Sequence, residues 1–190
     1  MPLFARWRAD RDLQRKAAAY VAALFREPDA ADVAWLAAAA TRGDADHAQW
    51  ELRYARRAVG LIAAQRDALD DRTASLVARE IAEAFDRDRN IDAGMVETAE
   101  RQFNARLSAY RDGLMSRAGA AATATRMGQT LFAFAGGSFT RENENIARAG
   151  QLLATYSAEA NEALRATFGA AVLPEHLPSS EMAAAGERKG

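Results

Sequence analysis

From Asp29 to Leu173 the chain contains no proline; its four prolines stand at Pro2, Pro28, Pro174 and Pro178. Proline removes a backbone donor and breaks helix interiors, so its absence over so long an interval leaves helix formation unopposed. Alanine dominates the same interval, and β-branched residues are sparse. Alanine is the best helix former. No window alternates apolar and polar residues with a period of two, so no strand is expected. The expectation is an all-α, single-domain helical bundle of about seven helices, with long antiparallel helices, over residues 1–168. A flexible, disordered tail is expected over residues 169–190, where Pro, Ser, Gly and charge replace the pattern.

Helix ends follow from caps and breakers. The first helix is expected from about Asp10 to Arg26, halted by Pro28. The second starts at Asp29, a good N-cap, and ends at Gly43, a good residue to follow a helix. The third runs from after Asp44 to about Asp70, and the fourth from about Arg72 to Arg87. A polar junction, Asp88–Gly94, precedes a fifth helix from about Met95 to Arg117. The sixth spans about Ala120–Ala135 and stops at Gly136-Gly137. The seventh starts after Thr140 and ends near Phe168. On the third helix Trp50, Tyr54, Ala55, Ala58, Val59, Leu61, Ile62 and Leu69 cover about half the circumference at 100° per residue. Such a helix touches several neighbours, so it is expected near the centre of the bundle. Arg53, Arg56, Arg57 and Asp67 form its narrower polar strip.

Composition excludes several chemistries. There is no cysteine, so disulfides, thiolate nucleophiles and cysteine-held clusters are out. Lysine occurs only at Lys16 and Lys189, and neither stands in a Gly-Lys-Ser/Thr phosphate loop. Histidine occurs only at His47 and His176, too few for a multi-histidine metal cage. There is no Gly-x-Gly-x-x-Gly and no Gly-x-Ser-x-Gly elbow around Ser138. The net charge of −1 gives no bulk attraction to nucleic acid or to an anionic membrane. A helix-turn-helix does not fit either: Gly43 lies between Arg42 and Asp44, and the helix after it is too long to be a recognition helix.

Four constellations remain. His47 and Glu51 are four apart on one face of the third helix and project onto its apolar arc. Glu80 does the same on the fourth helix, and Glu142 at the start of the seventh. Inward carboxylates beside an imidazole are raw material for a bundle-core metal site or an acid/base pair. Their ordinary alternative is pairing with arginine across a helix interface. Second, Phe132, Phe134, Gly136-Gly137 and Phe139 either open an apolar pocket or end a helix and fill the core. Third, Leu3, Phe4 and Trp7 interleave with Arg6, Arg8, Arg11, Arg15 and Lys16, as in a short interfacial anchor, though Asp10 and Asp12 dilute it. Fourth, arginines crowd two helices: Arg53, Arg56, Arg57 and Arg66, then Arg101, Arg106, Arg111 and Arg117. Acids interleave with most of them, as on a solvated, salt-bridged face.

The functional expectation is a cytoplasmic protein-interaction, assembly or regulatory protein without catalytic activity. Its partner would be another protein or a second copy of itself, with Arg53, Arg56 and Arg57 as interaction candidates. No cofactor, no nucleic acid and no metal is expected. The alternative is a ligand- or metal-binding bundle, and possibly an enzyme, built on His47, Glu51 and Glu80. A further alternative is a peripheral membrane protein using Leu3, Phe4 and Trp7. The first 16 residues hold no continuous apolar run of signal-peptide length, and no stretch reaches the roughly 20 apolar residues of a membrane span.

Overall fold

A computed structural model describes residues 3–67, 70–114, 119–138 and 144–169, with side chains in the first helix from residue 7 onward. Among the described residues there are seven α-helices and no strand: α1 Leu3–Leu24, α2 Ala30–Ala39, α3 Ala45–Asp67, α4 Asp71–Asp86, α5 Val96–Leu114, α6 Ala120–Phe134 and α7 Glu144–Phe168. A single 3-10 turn, Ala93–Met95, leads into α5. No helix among them is long and apolar enough to cross a membrane. The expected tail lies outside the described residues, apart from Gly169.

The starts of α2 and α4 obey the capping rule. Asp29 accepts the Ala31 backbone N–H at 2.7 Å, and Asp70 accepts that of Thr73 at 2.6 Å. Asp70 therefore opens α4; the described part of α3 reaches Asp67. Two ends differ from those expected. α1 starts seven residues before Asp10. Asp12 sits inside the helix and is held by Arg15 at 2.5 Å and Lys16 at 3.3 Å, so it supports the helix instead of ending it. α2 stops at Ala39, short of Gly43. Both Arg42 (φ 57°) and Gly43 (φ 89°) take left-handed backbone, and Thr41 Oγ donates to the Asp44 carbonyl at 2.5 Å. The reversal thus needs two residues, and the regular helix ends before it.

α3 packs against all six of the other α-helices. From Glu51 to Ala64, every residue but Arg56 is buried. α1 crosses α3 antiparallel: the Tyr20 hydroxyl donates to the Gly60 carbonyl at 2.8 Å, while Phe25, just after α1, meets Arg57, earlier in α3. α6 and α7 form an antiparallel hairpin. α1 and α4, by contrast, run parallel. Asp10 pairs with Arg72 at 2.6 Å near one end, and Phe25 meets Phe85 at 5.7 Å near the other. The two intervening helices return the chain to its starting side, so a bundle of this connectivity need not alternate throughout.

Small residues set the tightest crossing. A Cβ on Gly128 of α6 would collide with the carbonyl oxygen of Ile146, and one on Gly150 of α7 would lie 2.5 Å from that of Ala124. Backbone oxygens cannot rotate away as side chains do, so the two helices would have to separate. Overpacking of this kind costs about 1–3 kcal/mol. Gly128→Ala and Gly150→Ala should each lower the free energy of unfolding in urea by that amount. Gly94→Ala, with open space around it, should change it by less than about 0.5 kcal/mol.

Candidate functional site

The interior of α3 carries charge. Glu51 is 2% exposed and Arg57 1% exposed, and Arg53 is also buried. A buried charge is costly unless it is paired and hydrogen-bonded, so each partner matters.

Glu51 faces α5. Arg106 grips its carboxylate with two nitrogens: Nε donates to Oε2 at 2.9 Å and Nη2 to Oε1. The guanidinium lies over the rings of Tyr54 (5.1 Å) and Phe134 (4.5 Å). His47 Nε2 stands 3.4 Å from the same carboxylate, at the outer end of the cluster. The Tyr110 hydroxyl is buried nearby without a hydrogen-bond partner. Burial pushes its pKa up, with the Glu51 charge adding to the effect. The sequence pairing of His47 with Glu51 is thus real in space. Glu80 belongs elsewhere, bound to Arg87 at 2.5 Å. Among the described residues no three His, Asp or Glu side chains gather so as to hold a metal ion. Glu142 and Phe139 lie outside them.

Arg57 faces α4. Its Nη2 donates to Asp88 at 2.8 Å, and its guanidinium lies over Phe25 (3.8 Å) and Phe85 (5.1 Å). Nε and Nη1 have no acceptor. Stacking on aromatic faces compensates part of that loss. Asp88 also accepts the Asn90 backbone N–H at 3.1 Å and its side-chain amide at 2.9 Å. Burial raises the Asp88 pKa, but the Asn90 donors and Arg57 outweigh it and hold it below the ordinary carboxylate value. The junction after α4 is tied down through this one carboxylate.

The arginine strip of α3 is therefore largely internal. Arg53 binds Glu27 through Nε (3.0 Å) and Nη2 (2.8 Å) and lies over Trp50. Arg56 pairs with Glu159 and lies over Tyr156. The sequence signal was present: Arg57 projects only about 20° from Trp50 around the helix. Arg106 likewise sits three after Phe103 and four before Tyr110, on the apolar stripe of α5.

The remaining sequence candidates separate cleanly. Phe132 is buried and Phe134 lies under Arg106. A Cβ on Gly137 would press on Phe132 and Ala40, so this end of α6 is packed. Trp7 is 55% exposed, with Arg11 over its ring at 4.6 Å.

Two of the depressions in the described surface flank the junction after α4. One, of about 210 Å³, is floored by Trp50 and Tyr54 and rimmed by Ile91, Asp92, Met95 and Gln102. The other, of about 450 Å³, lies between α1 and α4 with Arg57 at its base. Asn90 lines both. Comparison with protein-family models, curated proteins and solved structures finds no match to this chain.

Two outcomes follow from the paired charges. Breaking a buried ion pair costs about 3–5 kcal/mol, whereas replacing both members by apolar residues is far milder. Arg106→Met should destabilise the protein by that amount, and Arg106→Met with Glu51→Met should recover more than half of it, both read from urea unfolding. For Asp88 the folded pKa is depressed, so its stabilising contribution is present above the ordinary value of 3.8. It is lost as pH falls through the lower folded value. The stability of Asp88→Asn should therefore fall less than that of the parent between pH 4 and pH 2, as thermal unfolding at each pH would show.

Proposed function

We propose that this chain is a cytoplasmic interaction protein, a helical adaptor or regulatory subunit, that receives an apolar side chain of a partner protein in the depression over Trp50 and Tyr54. The observation that carries this reading is the composition of that depression. Tryptophan and tyrosine dominate binding hot spots because they bury large area with few rotors to freeze, and methionine is enriched at interfaces. Here Trp50 and Tyr54 stack at 5.5 Å to make a firm floor, and Met95 stands 51% exposed at the rim. Methionine adapts its shape to an incoming group.

The charge around it selects the partner. Asp92 is the one charged residue lining the depression, and it makes no ion pair among the described residues. A segment that carries a Lys or Arg beside an aliphatic or aromatic side chain answers both features. Catalysis draws less support. Glu51 and Asp88, the acids most enclosed in the fold, are each engaged by an arginine, which leaves neither poised as a free base.

A photoreactive amino acid at Met95, introduced in living cells, tests the reading. We expect a protein adduct at that position that is absent with the same group at Ala122, an exposed residue of α6. Asp92→Lys should reduce the adduct several-fold. Equal labelling from Ala122, or no adduct from Met95, overturns the assignment.

A further inference from the structure

We propose that the cleft between α1 and α4 binds a small amphiphilic carboxylate, independently of the partner-binding depression. Its volume of about 450 Å³ falls within the range of small-molecule sites. The chemistry of its walls restricts the occupant.

The base supplies hydrogen-bond donors without acceptors. Arg57 is 1% exposed, and Asp88 engages only its Nη2, leaving Nε and Nη1 unsatisfied. Unsatisfied buried polar groups are uncommon, and one at the floor of a cleft points to a missing partner. The half-buried Phe25 ring covers the guanidinium at 3.8 Å, so an entering oxygen reaches it when that ring tilts.

The charges leave one cation over. Three carboxylates line the cleft, and an arginine answers each: Arg53 binds Glu27, Arg87 binds Glu80 and Arg57 binds Asp88. Arg89, exposed at the rim, makes no ion pair among the described residues. The open capacity of the site is therefore donors plus a single positive charge. A monoanion matches it, whereas a dianionic phosphate would face Glu27 and Glu80 with too little compensation.

Between those charges part of the wall is apolar. Ala18, Val21 and Ala22 of α1 face Ala84 of α4 across the cleft. Small side chains on both sides leave a slot for a hydrocarbon or aromatic tail. One carboxylate oxygen accepts from Arg57, the other meets Arg89, and the tail lies along the alanines.

The test is a titration of the full-length, isotopically labelled chain with decanoate below its micellar concentration, followed by NMR. We expect saturable shifts centred on Arg57, Asp88 and Arg89, and weaker binding of decanol. Arg89→Ala should weaken decanoate binding roughly 3- to 10-fold, the equivalent of one hydrogen bond. Arg126→Ala, on α6, should leave it unchanged. Ala22→Trp, which fills the slot from an exposed helix position without touching the ion pairs, should abolish it while circular dichroism stays that of the parent. Absence of saturable shifts with decanoate overturns the proposal. So does decanol binding as tightly as decanoate with no effect of Arg89→Ala, which would reveal an apolar groove and no carboxylate site.

Discussion

Arginine held between aromatic rings is the interaction on which this bundle turns. Arg57 lies over Phe25, just after α1, and Phe85 of α4, and Arg106 of α5 lies over Tyr54 of α3 and Phe134 of α6. Each guanidinium also meets a carboxylate from a different element. A planar, weakly hydrated cation is the only charged side chain that satisfies both demands at once; a lysine at either position would lose the stacking, and at Arg106 the two-nitrogen grip as well. That requirement holds at Arg57 and Arg106, in a chain with two lysines against 23 arginines. It also explains how α3 can be enclosed on nearly every side while carrying Glu51, Arg53 and Arg57 on its buried length.

Around that charged axis the helices come together through small side chains. Alanines 48, 55, 58, 63 and 64 are all buried on α3. They remove little area each, but they let neighbouring helices approach, and close approach brings many dispersion contacts. Gly60 extends the same logic: its missing side chain admits Leu24, and its carbonyl, already inside a helix, takes a second hydrogen bond from Tyr20. Gly128 and Gly150 do so for α6 and α7. Large aromatic residues then concentrate where the arginines are, not along every interface.

Much of the architecture was legible in the sequence because its signals are local. Pro28, Asp29 and Asp70 mark helix boundaries through their own backbone or side-chain chemistry, and the stripe from Ala99 to Tyr110 follows from a 3.6-residue period. The exceptions are long-range. Asp10 resembles the start of a helix until Arg72 is seen beside it. The candidate site was half legible for the same reason. His47 and Glu51 share a turn, so their proximity could be read directly. Arg106 is 55 residues from Glu51, and Asp88 is 31 from Arg57. A charge at the edge of an apolar arc says that a partner is needed but not where it comes from, so Arg53 and Arg57 look solvated until the neighbouring helices are placed.

The junction after α4 shows what those distant pairings achieve. Asp88 holds Arg57 on one side and both donors of Asn90 on the other. The next residues turn through Ile91 N–H to the Asp88 carbonyl at 3.0 Å, then Met95 N–H to that of Asp92 at 2.7 Å. Nine residues without an α-helical ladder, 87–95, are thereby fixed by one carboxylate and two turns. They form the rim of the depression over Trp50 and part of the wall of the cleft above Arg57. A helical interface would have presented a continuous ridge at that place. The short irregular segment instead leaves a hollow on each side, and the buried guanidinium keeps both hollows open by fixing the segment between them.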